Sequence, residues 1–171
     1  YFKLLDYAKQ NNLYVSFDPN YRDALIKPDM LPQFVEDSKA FLKHSDFTKL
    51  SDEELTLITG EKDLEAGVKA LHDLGVKVVT ITLGSKGTYL SVDGENVIIP
   101  SIKINQVDST GAGDSFVGAV LKQVSDIEDK KNISMDKWKE IIAFANKVGA
   151  ITCTNYGAIA SMPTLAEVNA I

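Results

Sequence analysis

Val76-Lys77-Val78-Val79-Thr80-Ile81-Thr82-Leu83 is a run of apolar and β-branched side chains, the composition of a strand covered on both faces in a parallel sheet. It directly follows a helical stretch, residues 63–74, that Gly75 ends in the manner of a glycine C-cap. Outward from this pair the alternation recurs. Upstream, residues 1–12 read as helix from Phe2, Leu5 and Ala8, and Leu13-Tyr14-Val15-Ser16-Phe17 as a strand stopped by Asp18-Pro19-Asn20. Residues 28–42 carry apolar Leu31, Phe34, Val35 and Leu42 behind an early proline, and residues 47–50 make a short strand. Ser51 and Glu54 have capping-box spacing for a helix that stops near Gly60.

Downstream, residues 87–92 and 95–99 flank Asp93-Gly94, a strong hairpin signal. A glycine-rich loop, residues 108–114, leads into a helix running to about Ser125, and residues 126–131 form a charged loop. A long helix follows over residues 134–152, with Trp138, Ile141, Ile142, Ala145 and Val148 as its apolar positions, and residues 163–168 give a short last helix. Strands alternating with helices predict an α/β fold: a doubly wound, mostly parallel sheet with helices on both faces.

The chain has 171 residues, 44% hydrophobic and 25% charged, enough for one core. We expect residues 1–171 to form a single α/β portion. Its 18 basic and 24 acidic residues give a formal charge of −6 without a basic patch, which argues against nucleic acid and anionic lipid as partners. One cysteine, Cys153, rules out an internal disulfide and points to a reducing, cytoplasmic compartment. His44 and His72 stand too far apart for a zinc motif, and no apolar run reaches the ~18 residues of a membrane helix. The sequence opens at Tyr1 already in helical spacing, so a piece of a longer chain is expected.

The chemistry-bearing segment is Val107-Asp108-Ser109-Thr110-Gly111-Ala112-Gly113-Asp114-Ser115-Phe116. A helix starting near Ala112 or Gly113 would leave its first amides without partners and so build an anion site at the positive helix end. Asp114, in that first turn, would be held ionised. An anion cradle beside a carboxylate suits phosphoryl transfer onto an alcohol; the alternative is an ordinary strand-to-helix glycine loop capped by aspartate. The dinucleotide spacing fails because Phe116 occupies its third glycine position, no Gly-Lys-Ser/Thr exists, and Ser115 lacks the glycine of a hydrolase elbow.

On these residues the segment 108–121 resembles the second signature of the ribokinase (PfkB) family of carbohydrate kinases. Thr82-Leu83-Gly84-Ser85-Lys86-Gly87 resembles that family's nucleotide-binding turn, and Asp18-Pro19-Asn20-Tyr21-Arg22 a segment of its fructokinase and 2-keto-3-deoxygluconate kinase branches. The resemblance spans the chain but only the C-terminal half or so of a family member. The N-terminal strands that bring the sugar-binding aspartate, a glycine pair and the lid lie outside it.

The resemblance implies Asp114 as catalytic base and the Gly111, Ala112 and Gly113 amides as anion hole. Thr82, Gly84, Ser85, Gly87 and Asn146 would border ATP, while Asn20 and Arg22 would meet substrate or phosphate. For Arg22 a surface ion pair with Asp23 or Asp29 is the alternative. Glu54 would act on Mg²⁺ through water, although Ser51 stands where the family commonly has asparagine and capping alone explains both residues. Asp108, Thr110, Thr152 and Gly157 match positions that bind a monovalent cation, K⁺, mostly through backbone oxygens. Cys153 and Trp138 read as core. The implied function is ATP-dependent phosphorylation of a sugar, fructose to fructose 6-phosphate first and 2-keto-3-deoxygluconate next, with a homodimer formed through the lid. The alternative of another class is a non-catalytic nucleotide-binding piece.

Overall fold

The computed structural model describes residues 1–171. Five strands lie in the sheet order β1-β2-β3-β4-β5. β1 (Ser16–Phe17), β2 (Phe47–Ser51) and β3 (Val78–Thr82) are parallel, with Ser16 beside Phe47 and Phe47 beside Val78. β4 (Thr88–Val92) and β5 (Glu95–Ile99) follow on either side of Asp93-Gly94, where both residues have positive φ, 49° and 86°, as a two-residue primed turn requires. The result is an α/β fold with a mixed sheet and seven helices.

Two compact units divide the chain. The first comprises Tyr1–Thr82 and Ser91–Asn96, the second Leu83–Leu90 and Val97–Ile171. In the first, α1 (Phe2–Gln10), α2 (Leu31–Leu42), α3 (Asp52–Thr59) and α4 (Leu64–Leu74) accompany β1–β3. Phe47, Leu50, Val79 and Ile81 are fully buried, as the apolar run predicts. The strand threonines buried with them find acceptors on the neighbouring strand: Thr48 Oγ1 donates to the Phe17 carbonyl at 2.7 Å and Thr80 Oγ1 to that of Thr48 at 2.9 Å. Ser51 and Glu54 form both halves of the capping box, and Asp63 caps α4 through the Ala66 amide.

In the second unit α5 (Ala112–Ser125), α6 (Met135–Thr152) and α7 (Leu165–Asn169) supply most of the core. Trp138, Ile141, Ile142 and Ala145 of α6 and Val120 and Val124 of α5 are buried, and Cys153 with them. Gly149 lets α6 close on the start of α5, since a Cβ there would stand 3.3 Å from the Ala112 carbonyl.

Two elements differ from expectation. β1 is two residues long rather than five, because the Val15 N–H donates to the Asp46 carboxylate (2.9 Å) instead of a strand carbonyl. α2 starts at Leu31, with Pro32 rather than Pro28 in its first turn.

The burial pattern makes a direct contrast. Ile81→Ala, at a position with no exposed surface, should cost about 2–5 kcal/mol in urea unfolding of the intact protein. Ile98→Ala, at a site 54% exposed, should change stability by less than about 0.5 kcal/mol.

Candidate active site

In the second unit the loop before α5 is tied down by one carbonyl and one carboxylate. The Cys153 carbonyl accepts the Val107 and Asp108 amides at 2.8 and 3.2 Å. Asp108 Oδ1 accepts the Thr110 amide (3.0 Å) and hydroxyl (2.7 Å), and its Oδ2 accepts the Gly157 amide at 3.0 Å. The Gly157 N–H, followed by the Thr110 hydroxyl and amide, holds the Asp108 carboxyl below the usual carboxylate range. The latch brings residues 107–110 and 153–157 together.

Gly111 then turns the chain into α5 with φ +80°, and a Cβ there would fall 2.7 Å from the Ala158 methyl. Both the left-handed backbone and the close approach require glycine. The Ala112 amide closes a turn onto the Ser109 carbonyl at 3.1 Å, and the Ser115 amide bonds the Gly111 carbonyl at 2.9 Å. Ala112 is therefore not a free donor, contrary to the expected Gly111-Ala112-Gly113 triplet. The open amides of the first turn are those of Gly113 and Asp114, at the positive end of a helix 14 residues long. The Asp114 carboxylate is exposed beside them. The start of α5 is braced from α6 by Thr152, whose hydroxyl donates to Ser115 Oγ at 3.0 Å.

The second feature of this unit is the turn over residues 83–87. The Leu83 amide donates to the Gly87 carbonyl at 2.8 Å and the Gly87 amide to that of Gly84 at 3.0 Å, leaving Gly84 and Ser85 exposed and Gly87 buried. A Cβ on Gly87 would overlap the Ile99 carbonyl. Asn146 is buried. Its Oδ1 accepts the Thr88 hydroxyl at 2.6 Å and its Nδ2 donates to the Ile99 and Pro100 carbonyls at 2.9 and 3.3 Å. The amide is engaged within the protein, so Asn146 shapes the wall behind the 84–87 turn.

In the first unit, Asn20 has φ +49° and its amide donates to Asp18 Oδ1 at 2.9 Å, an Asx turn in a residue that tolerates this conformation. The Tyr21 amide donates to Glu54 Oε1 at 2.7 Å, and the Ser51 amide to Glu54 Oε2 at 2.7 Å. Arg22 is exposed and makes no ion pair with Asp23 or Asp29. Thr82, at the end of β3, donates to the Leu50 carbonyl at 3.3 Å. Sequence reasoning missed Lys49. It is buried on β2, and its ammonium lies 3.3 Å from Asp18 and 3.8 Å from Glu54. The available signal was a lysine inside the otherwise strand-like Phe47-Thr48-Lys49-Leu50. Burial pushes the Asp18 carboxyl up, Lys49 pulls it down, and Glu54 raises it further.

No group of three or more His, Cys, Asp or Glu side chains converges that could cage a metal ion. Both Glu54 oxygens accept backbone amides, those of Tyr21 and Ser51. The Asp108 carboxylate and Thr152 hydroxyl are likewise engaged, so a monovalent cation would be left the main-chain carbonyls of Asp108, Thr110, Thr152 and Gly157.

The profile of the pfkB family of carbohydrate kinases matches residues 1–165. The chain belongs to this family. It is 38% identical to Fructokinase-1 of Zea mays over 174 aligned positions, covering 97% of this chain and 51% of the maize protein. Among solved structures it is similar to a double mutant of the Vibrio cholerae O395 fructokinase bound to fructose, ADP and potassium ion. That likeness has TM-score 0.90 and 31% identity, and covers 99% of this chain and 53% of the other. It also resembles the Xylella fastidiosa fructokinase with bound ATP, at TM-score 0.87 and 26% identity over 99% of this chain and 54% of that one. The fold is thus ribokinase-like, and the chain spans about half the length of the curated relatives it matches.

The Asp108 latch has a pH signature. Its folded pKa lies below the unfolded value, so its stabilisation is present above pH ~3.9 and is lost as pH falls through the lower folded value. The Gly157 amide resonance should therefore shift only below pH ~3.9 in the wild type, and should not titrate there in Asp108→Asn.

Proposed function

We propose that this chain is the nucleotide-binding and catalytic portion of an ATP-dependent kinase that phosphorylates a sugar hydroxyl, with fructose to fructose 6-phosphate as the reaction. Membership in a carbohydrate kinase family and likeness to fructokinases support the reaction class and the sugar. The observation that carries the mechanism is the exposed Asp114 carboxylate standing beside the two unpartnered amides of Gly113 and Asp114.

Asp114 accepts the proton of the sugar hydroxyl as that oxygen attacks the γ-phosphorus. The amides of Gly113 and Asp114 meet the charge on the transferring phosphoryl group, where fixed donors at a helix start act most strongly. The exposed Gly84–Ser85 turn, on a wall held by Asn146, borders the nucleotide. Mg²⁺, when bound, would neutralise polyphosphate charge, and Glu54, whose oxygens hold the Ser51 and Tyr21 amides, is the residue that would act on it through water. K⁺ would rest on the carbonyls around Asp108 and Gly157. The compartment is cytoplasmic in this reading, and any homodimer forms through parts of the relatives that this chain does not match. No helix here is long and apolar enough to cross a membrane.

The unpaired Arg22 guanidinium favours one second reading, a 2-keto-3-deoxygluconate kinase, because a fork of donors suits a sugar-acid carboxylate. An ATP-coupled assay of the intact protein over ketoses, aldoses and keto-deoxy acids separates the two.

Asp114→Asn in the intact protein should lower kcat by about 10²–10⁴ with little change in KM, and near-normal turnover would remove Asp114 from this role. Residues 1–171 by themselves, about half of a relative's length, should form no measurable sugar phosphate while still binding ADP weakly. Robust turnover by them would refute the assignment of the sugar site elsewhere.

A further inference from the structure

Lys49 and Asp18 have no part in the mechanism above, and with Glu54 they form a charged cluster largely withdrawn from water. Their side chains are 9%, 18% and 7% exposed. One ammonium faces two carboxylates, 3.3 Å from Asp18 and 3.8 Å from Glu54. Each carboxylate also accepts an amide of the segment that carries Arg22: Asp18 takes that of Asn20 at 2.9 Å, and Glu54 that of Tyr21 at 2.7 Å. The segment has no pairing of its own here, since β1 ends at Phe17 and Asn20 is in a left-handed turn. Two side-chain carboxylates therefore hold the arm, and the cation common to both is Lys49.

We infer that Lys49 is a positioning residue for Arg22: its buried ammonium, shared by Asp18 and Glu54, holds residues 18–22 against the β2–α3 turn and so aims the guanidinium. Without the cation, two desolvated carboxylates face each other at close range. Separating them moves the amides that each one grips, and a guanidinium at the end of a displaced arm loses its register with the ligand. An arginine at position 49 can still meet both carboxylates, whereas methionine fills the space without charge.

The kinetic readout rests on the kinase reading, and limited proteolysis does not. In the intact protein, Lys49→Met should raise about tenfold whichever KM, ATP or sugar, Arg22→Ala itself raises, with kcat kept within about twofold. Lys49→Arg should restore it. The double variant Lys49→Met/Arg22→Ala should be no worse than Arg22→Ala, because Lys49 acts through the arm. Tryptic cleavage after Arg22 should speed up at least about fivefold in Lys49→Met, since cleavage follows the population of the opened arm. If Lys49→Met does not fold, Asp18→Asn takes its place and should show the same faster cleavage and raised KM. A loss of kcat at constant KM that multiplies with Arg22→Ala, or unchanged cleavage, would overturn the inference and leave Lys49 a structural residue only. A wild type that phosphorylates no sugar would overturn the kinase reading alone, and the cleavage rates would then decide for or against Lys49.

Discussion

A helix cannot bond its own first amides, and the start of α5 is kept in that condition by its surroundings. Gly111 is pressed against Ala158 and turns the chain abruptly, so no side chain from the turn can reach forward to cap the helix. The Asp108 carboxylate, the nearest acid before the helix, is instead taken up by Thr110 and Gly157. Thr152 and Gly149 fix the same turn from α6. The donors of Gly113 and Asp114 thus remain open at a rigid position, which is the property an anion site needs. Preorganised donors do not have to reorient when charge develops.

The first unit solves a different problem. A carboxylate taken out of water is costly unless it is paired and hydrogen-bonded. Asp18 and Glu54 meet that requirement jointly, through Lys49 and through amides of the chain segments around them. Such an arrangement contributes little net stability over an apolar core of the same shape. What it does supply is geometry, because a charged acceptor fixes the direction of each amide that it receives.

Much of this was legible in the sequence where a local rule governs. The run 76–83 reads as a covered strand, Asp93-Gly94 as a hairpin, and Ser51 with Glu54 as a cap, because each follows from side chains a few residues apart. The shortness of β1 was not, since it depends on Asp46, distant in sequence, taking the Val15 amide. The loss of Ala112 as a donor turns on a backbone bond to Ser109 that residue spacing does not reveal. The partners of Asn146 and of Lys49 were hidden for a related reason: Thr88 lies 58 positions from the one and Asp18 31 from the other, and only the fold brings them near.

Glu54 shows how structure and chemistry divide the polar groups here. The family pattern suggests a metal-directed role, but its two oxygens already serve the Ser51 and Tyr21 amides, and Ser51 caps α3 as well as an asparagine would. Serine for asparagine therefore preserves the turn and its hold on the arm while removing one amide group from the site. The same sorting applies to the other candidates. Asp108, Asn146, Thr152 and Glu54 are occupied in holding backbone or neighbouring side chains. The groups with nothing in the protein to hold are the Gly113 and Asp114 amides, the Asp114 carboxylate and the Arg22 guanidinium. Within the second unit, two donors suited to an anion beside one acceptor suited to a proton are groups that phosphoryl transfer to an alcohol could use, and Asp108 and Thr152 are what hold the turn into α5 in place.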